Sequence, residues 1–147
     1  MPELSEQKSV STAVVIPCFR VREQILDVLS SIGKEITNIY VIDDACPENT
    51  RQYVEKHCSD PRVTVVQHEL NQGVGGATIT GYQHALTNGV SIIIKMDGDG
   101  QMDASSIPGL ATFGRPPTGP IAAVQLGTGR GRRTWSTTCT CARPGAG

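Results

Sequence analysis

Short apolar runs alternate with amphipathic segments over the first hundred residues of the chain. The runs have the length and β-branched composition of buried strands, and turn residues follow each one. They lie at residues 13–16, 39–42, 63–66 and 90–96. Between them, the sequence predicts helices over residues 25–32, 47–57 and 75–86. Gly33 is expected at the C-cap of the first helix, and Pro47 in the first turn of the second.

This alternation predicts an α/β fold, with a Rossmann-like parallel sheet and helices on both of its faces. In such a sheet the ligand crevice lies beyond the carboxyl ends of the strands. Each predicted strand ends in polar or unusual residues: Pro17-Cys18-Phe19, Asp43-Asp44, Gln67-His68 and Asp97-Gly98-Asp99. Because these ends meet at one edge of the sheet, they indicate a single binding site.

The ordered pattern stops after Pro108, and the composition changes nearby. All 14 acidic residues lie at or before Asp103, whereas residues 104–147 contain five arginines and no acidic residue. Glycine and proline make up 13 of these last 44 residues, a share typical of disordered segments. The formal net charge of −1 therefore combines an acidic body with a basic tail. We expect the tail, residues 109–147, to be disordered or loosely attached.

Several classes of protein do not fit the sequence. No apolar run approaches the roughly 18 residues that a membrane span requires, and the polar arm at residues 1–12 does not resemble a secretory signal. Five scattered cysteines do not suggest a disulfide framework, so we expect reduced thiols in a cytoplasmic protein. The basic cluster at Arg130, Arg132 and Arg133 has no recognition module beside it, and nucleic acid is not expected as a partner.

Two carboxylates, Asp97 and Asp99, follow the fourth predicted strand. In extended backbone their side chains point to the same side, where they repel one another unless a cation lies between them. Mg²⁺ or Mn²⁺ with substrate phosphates suits such a pair, and Gln101 adds a neutral oxygen ligand. The alternative is that either Asp caps a turn. An EF-hand beginning at Asp97 is excluded, because its sixth and twelfth positions are Met102 and Pro108.

Asp43 and Asp44 end the second predicted strand, where a carboxylate can accept hydrogen bonds from a base or a ribose hydroxyl. An Asp pair there is more often a turn and helix-start signal. The glycine-rich stretch 71–77 matches neither the dinucleotide fingerprint nor the Walker pattern, although its amides at a helix N-terminus suit an anion. A tight turn with close helix packing through Gly76, Ala77 and Gly81 is the alternative. The histidines have no ligand-like spacing and are expected to be surface or structural residues: His57, His68 and His84.

Together these motifs resemble the nucleotide-binding half of a family 2 glycosyltransferase with the GT-A fold. The resemblance covers residues 13–108 and rests on Val14-Val15-Ile16-Pro17-Cys18-Phe19, Ile42-Asp43-Asp44-Ala45-Cys46-Pro47, Asn71-Gln72-Gly73-Val74-Gly75-Gly76-Ala77 with Gly81, and Lys95-Met96-Asp97-Gly98-Asp99-Gly100-Gln101-Met102-Asp103. The Asp-x-Asp-x-Gln form is closest to the dolichyl-phosphate mannosyltransferase-like branch, which works on polyprenyl phosphates.

The resemblance implies an inverting, metal-dependent transfer of a sugar from a UDP- or GDP-linked donor. Pro17 and Phe19 would line the base and ribose pocket, and Asp44 would hydrogen-bond the base. Mg²⁺ or Mn²⁺ would be held against the diphosphate by Asp97, Asp99 and Gln101. The other members of the implied nucleotide-sugar site are Cys18, Asp43, Gly73, Gly76 and Gly98. The acceptor would be a polyprenyl phosphate or a glycan, and a lipid-linked acceptor would bring the protein to the inner face of the membrane.

The sequence departs from this family in lacking the half that binds the acceptor. A hydroxyl acceptor requires a carboxylate base from that half, and no Asp or Glu follows Asp103, so the catalytic base is unknown. We therefore hypothesise a truncated, inactive glycosyltransferase whose tail, from about Gly109, is translated out of frame. A non-catalytic nucleotide- or metal-binding module is the alternative. A phosphatase-type Asp-x-Asp would by resemblance follow the first strand of a chain, and here it follows the fourth.

Overall fold

The computed structural model describes residues 11–99 and the strand segments 122–125 and 137–138. Strands and helices alternate over residues 11–99, as the apolar pattern predicts. In chain order the elements are β1 (Thr12–Cys18), α1 (Arg22–Ser31), β2 (Asn38–Asp43), α2 (Thr50–His57), β3 (Val63–Gln67), α3 (Gly73–Thr87), β4 (Ile92–Lys95), β5 (Ala122–Gln125) and β6 (Thr137–Thr138).

The strands form one sheet in the order β3-β2-β1-β4-β5-β6. The first five run parallel to their neighbours, and β6 is antiparallel to β5. The strand order reverses at β1: β2 and β3 lie on one side of it, and β4 and β5 on the other. A ligand crevice is therefore expected beyond the carboxyl ends of β1 and β4. This topology confirms the predicted Rossmann-like parallel sheet.

Alternate side chains of the central strand β1 enter separate cores on the two faces of the sheet. Val14 lies in a buried cluster with residues of α1 and α2. Val15 lies in a second cluster with Ala77 and Ala85 of α3. Because both faces are covered, the sequences of the central strands are continuous apolar runs and do not alternate between apolar and polar residues. The predicted helices on both faces are confirmed.

Helix α3 lies unusually close to the sheet because Gly81 faces Val15. A Cβ atom built on Gly81 would overlap Cγ1 of Val15 and would lie 3.1 Å from Cγ2 and 3.2 Å from Cβ. Both residues are buried. The glycine-rich segment therefore serves close helix packing at Gly81, one of the two alternatives that the sequence left open.

The end of α1 differs from the prediction that Gly33 caps it. The C-cap is Ile32, in extended backbone with φ −76° and ψ 120°. Nη1 of Arg62 donates to the carbonyl of Gly33 at 2.6 Å and to that of Ile36 at 3.0 Å. A guanidinium from a distant part of the chain thus takes the place that a left-handed glycine commonly has in satisfying carbonyls after a helix.

Helix α2 begins at Thr50 and not near Pro47, which lies in the preceding turn. Asn49 has left-handed backbone, with φ 53°, so helical geometry cannot extend back through it. The buried Asp43 holds this turn: its Oδ1 accepts from the amide of Cys46 at 2.9 Å, and its Oδ2 from that of Arg51 at 3.0 Å. Asp43 thus joins this turn to the first turn of the helix.

Two segments of the region 109–147, where disorder was expected, are strands. Ala122–Gln125 pairs with β4 from Ile92 to Lys95, and Thr137–Thr138 pairs with Ala122–Gln125. For these six residues the structure corrects the expectation. The free edge of β4 would otherwise present a row of unpaired backbone groups, which an extended segment can pair whatever its composition. Predictions for residues 1–10, 100–121, 126–136 and 139–147, including Gln101 as a metal ligand, fall outside the described residues.

Candidate functional site

A cavity of about 500 Å³ opens at the carboxyl ends of β1, β2 and β4, beside the start of α3. Its volume is within the roughly 300–1,000 Å³ range of small-molecule sites. It lies where the strand order reverses, as the topology predicts. The lining residues are Pro17, Cys18, Phe19, Val21, Asp44, Asn71, Gly73, Val74, Ala77, Asp97, Gly98 and Asp99.

Most of the sequence-predicted site residues meet in this cavity. Residues from all four glycosyltransferase-like motifs contribute to its wall, although Pro17 and Asp99 are 82 positions apart in the chain. The predicted residues that line it are Pro17, Cys18, Phe19, Asp44, Gly73, Asp97, Gly98 and Asp99. The sequence placed these motifs at strand ends, and the parallel sheet brings those ends together.

Asp43 and Gly76 are not among the lining residues. Asp43 is fully buried, and its two carboxylate oxygens accept backbone hydrogen bonds, one from the turn before α2 and one from the first turn of α2. A Cβ on Gly76 would lie 2.6 Å from Cβ of Gln72, so this glycine allows the chain to enter α3 closely. In this structure both residues shape the neighbourhood of the cavity without lining it.

The loop before α3 is hydrogen-bonded to Asp44. The side chain of Asn71 donates from Nδ2 to the carbonyl of Asp44 at 3.2 Å, and its Oδ1 accepts from the amide of Gly73 at 3.0 Å. Gly73 has φ +78°, a left-handed conformation that glycine adopts readily. The N-terminus of α3 is thereby held at the cavity, where its positive dipole end favours an anion.

His68 is a residue that sequence reasoning placed at this edge of the sheet without giving it a binding role. It is buried, and its Nδ1 lies 2.7 Å from Oδ1 of Asp44, while Nε2 lies 2.8 Å from Oγ1 of Thr80 on α3. The available signal was its position, directly after β3 at the same edge of the sheet as Asp44. Of the two expectations for this histidine, surface or structural, the structure excludes the first, because His68 is buried against a lining carboxylate.

Lys95 is a second residue whose contact the sequence did not reveal. Its side chain is only 9% exposed, and Nζ lies 2.8 Å from Oδ1 of Asp97. A buried ammonium requires a counter-charge, which Asp97 provides at the end of the same strand. The pair places one positive and one negative group beside the cavity.

The two lining carboxylates fit a divalent cation. Asp97 and Asp99 supply hard oxygen ligands from one wall of the cavity. Within the described part of the chain, no group of three or more His, Cys, Asp or Glu residues could hold a metal ion. Mg²⁺ and Mn²⁺ are commonly held by one or two carboxylates together with substrate phosphates, so a pair is sufficient when a phosphate ligand is present.

The thiol of Cys18 forms part of the cavity wall and is unreactive. Burial raises its pKa far above that of an ordinary thiol, and the charges of Asp43 and Cys46 raise it further. A thiol that stays protonated is a poor nucleophile and a poor metal ligand. Its role at the cavity is therefore to provide shape.

Comparison with known proteins gives a family match over most of the chain. Residues 13–137 match the model of glycosyl transferase family 2. The match includes all four motifs and extends past residue 108, where the sequence-based division places the end of the ordered half. It also covers all of β5 and the first residue of β6.

Two curated relatives are enzymes named for polyprenyl or dolichyl phosphates. Undecaprenyl-phosphate mannosyltransferase of Micrococcus luteus is 32% identical over 75 residues, covering 50% of this chain and 31% of the relative. UDP-N-acetylglucosamine–dolichyl-phosphate N-acetylglucosaminyltransferase of Methanococcus voltae is 29% identical over 102 residues, covering 60% of this chain and 41% of the relative. The matched segment thus covers less than half the length of each relative. Their names agree with the predicted branch of the family.

Among solved structures, the chain is similar to S. aureus TarS 1-349 in complex with UDP. The TM-score is 0.58 at 22% identity, covering 70% of this chain and 31% of that chain. The match shows a shared fold and confirms the expected GT-A type of sheet. No helix in the described ranges is both long and apolar enough to cross a membrane.

Proposed function

The chain belongs to glycosyl transferase family 2, and we propose from this premise that its cavity binds a nucleotide-diphospho-sugar and transfers the sugar to an acceptor with inversion. One observation carries the proposal. Residues from four separated motifs line a single cavity at the strand-order reversal. Because a parallel sheet binds ligands at that place, the motifs act together as one donor site.

Different lining residues are suited to bind different parts of the donor. Pro17 and Phe19 line the base and ribose region, where Phe19 is 42% exposed and offers an aromatic surface. Asp44 accepts a hydrogen bond from the base. Gly73, in left-handed backbone at the start of α3, lets the donor approach the amides and the positive dipole end of the helix. Each role follows from the chemistry of the side chain or backbone group at the cavity.

The diphosphate lies beside the carboxylates of Asp97 and Asp99. These residues, with Gln101, would hold Mg²⁺ or Mn²⁺. When bound, the cation supplies Lewis-acid stabilisation of the charge on the departing nucleoside diphosphate. Lys95 adds a fixed positive charge next to Asp97, which limits the repulsion between the two carboxylates before the donor binds.

The acceptor that we propose is a polyprenyl phosphate, as the names of the two relatives suggest for their own reactions. A phosphate acceptor attacks the anomeric carbon as an anion and does not strictly require a carboxylate base. A lipid-linked acceptor would require the protein to work at a membrane surface.

Calorimetry with UDP in the presence of Mn²⁺ tests the donor site on the full chain. We expect saturable binding that weakens by about tenfold or more in Asp97→Asn, a loss of about 1.4 kcal/mol or more. Asp60→Asn is the matched control, because it removes the same charge from a carboxylate that pairs with Arg62 away from the cavity. Equal weakening in both variants, or no binding in the wild type, would contradict the proposal.

Transfer of labelled sugar to a short-chain polyprenyl phosphate distinguishes the enzyme from the alternative, a non-catalytic nucleotide- or metal-binding module. Binding of UDP without transfer favours the module, and transfer favours the enzyme. Transfer by this chain would also contradict the hypothesis of an inactive, truncated form.

A further inference from the structure

One oxygen of the Asp44 carboxylate is fully used by the protein. Oδ1 lies 2.7 Å from Nδ1 of His68 and accepts from the backbone amide of Gln72 at 2.8 Å. A carboxylate oxygen has about two lone-pair sites, so these two donors fill Oδ1. Oδ2 takes no hydrogen bond from any residue that the structure describes. The lining carboxylate therefore offers a ligand one acceptor oxygen and not two.

His68 is held so that this arrangement is fixed. Nδ1 lies at hydrogen-bond distance from a carboxylate oxygen, which is an acceptor, so we assign the ring hydrogen to Nδ1. Nε2 is engaged with Oγ1 of Thr80 at 2.8 Å, and the backbone amide of His68 donates to the carbonyl of Asp43 at 2.8 Å. The residue is only 8% exposed, so water cannot readily replace its contact with Asp44. The donor to Oδ1 is consequently a permanent feature of the cavity.

The nucleobases that the proposed donor site could hold present different edges to such a carboxylate. Uracil has a single ring N–H between two carbonyl oxygens, and one acceptor oxygen satisfies it. Guanine presents a ring N–H and an adjacent exocyclic amino group, which match a carboxylate with both oxygens open. Against Asp44 the second guanine donor meets an oxygen without a free lone pair, and an unpaired buried donor weakens binding.

We propose that His68 is a positioning residue that sets the base specificity of the cavity, so that the cavity selects uracil over guanine. This inference rests on the proposed function. His68 acts through Asp44 by occupying Oδ1, and it does not touch the base. The donor is accordingly a UDP-sugar. We expect UDP to bind about tenfold or more tightly than GDP at the same Mn²⁺ concentration, since one unpaired donor costs roughly that much affinity.

The test is the ratio of UDP to GDP affinity, measured by calorimetry on the full chain. His68→Leu removes the donor to Oδ1, and the ratio is expected to fall toward unity as guanine gains a second acceptor. His68→Asn keeps a side-chain N–H near the position of Nδ1, and the ratio is expected to be retained. His84→Leu is the matched control, because His84 is exposed on α3 and does not line the cavity.

Each outcome of these titrations either supports or overturns the inference about His68. Wild-type protein that binds GDP as tightly as UDP would overturn the inference while leaving a nucleotide-binding function intact. A ratio unchanged in a folded His68→Leu would overturn the role of His68. If His68→Leu does not fold, the wild-type ratio and that of His68→Asn still decide, because loss of the ratio in His68→Asn contradicts the proposal. Absence of binding by either nucleotide would instead remove the proposed function itself.

Discussion

Two glycines of α3 provide a matched pair of substitutions with opposite expected effects. Gly75 and Gly81 lie in the same helix, and each Gly→Ala change gains about 0.5–1 kcal/mol of helix propensity. A Cβ on Gly75 meets no atom within 4 Å, so Gly75→Ala is expected to stabilise the protein by that amount. A Cβ on Gly81 overlaps the side chain of Val15 on β1.

The overlap at Gly81 cannot be relieved by rotating Val15. Its Cγ1, Cγ2 and Cβ atoms all lie close to the new methyl group, so every rotamer keeps a contact of 3.2 Å or less. Overpacking of this kind costs about 1–3 kcal/mol. After the propensity gain, Gly81→Ala is expected to be net destabilising by up to about 2 kcal/mol, and about 1–3 kcal/mol less stable than Gly75→Ala.

Urea unfolding followed by circular dichroism measures the difference, and thermal melts provide a second readout. For a domain of about 60–100 residues, 1 kcal/mol corresponds to a change in Tm of about 4–8 °C. The two variants should therefore melt several degrees apart, on opposite sides of the wild type. If Gly81→Ala is stabilised as much as Gly75→Ala, the close packing of α3 on β1 is refuted.

Three further predictions concern buried and paired groups. Asp43→Ala leaves the amides of Cys46 and Arg51 without their acceptor and should lower the free energy of unfolding by about 1–3 kcal/mol in urea titrations; an unchanged free energy would contradict this. Hydrogen bonds from Arg62 lower the pKa of Asp60. Asp60 therefore stabilises the fold above its unfolded pKa of about 4, and the stability difference between wild type and Asp60→Asn should shrink between pH 7 and pH 3; a constant difference would contradict this. Because the raised pKa keeps Cys18 protonated, mass spectrometry should find it unmodified by iodoacetamide at pH 8 in the folded protein and alkylated in urea; rapid native labelling would show that the thiol is not buried.

The strands and helices over residues 11–99 were predictable because their apolar periodicity is local. The residues at which these elements end were less predictable, because contacts with distant residues determine them. Ile32 ends α1 with the help of Arg62, about 30 positions away, and the turn that delays α2 depends on the buried carboxylate of Asp43. No local pattern carries this information, because the contacts exist only once the sheet has formed.

The candidate site was also predictable only in part. Asp44 and Asp97 could be placed at one sheet edge from sequence, because parallel strands bring their carboxyl ends together. The partners that set their chemistry, His68 and Lys95, could not be identified. A histidine after a strand and a lysine inside one are common, and only the structure shows that each contacts a lining carboxylate.

The tail raises a separate question that the DNA can answer. The hypothesis of out-of-frame translation from about Gly109 remains a prediction. The pairing of Ala122–Gln125 with β4 and the family match to residue 137 favour a reading frame that continues the fold. If a single-base shift near codon 109 opens no family-like continuation, the hypothesis is wrong.

The most direct test of the central claim is to map UDP on the protein by ¹H–¹⁵N NMR, with Mg²⁺ as the diamagnetic cation. The claim is that the strand ends form one donor site. We therefore expect UDP to shift the amides around Phe19, Asp44, Gly73 and Gly98 together, along a single binding curve, while those around Asp60 stay unchanged. Shifts confined to one of these segments, shifts centred elsewhere, or none at saturating UDP would contradict the claim.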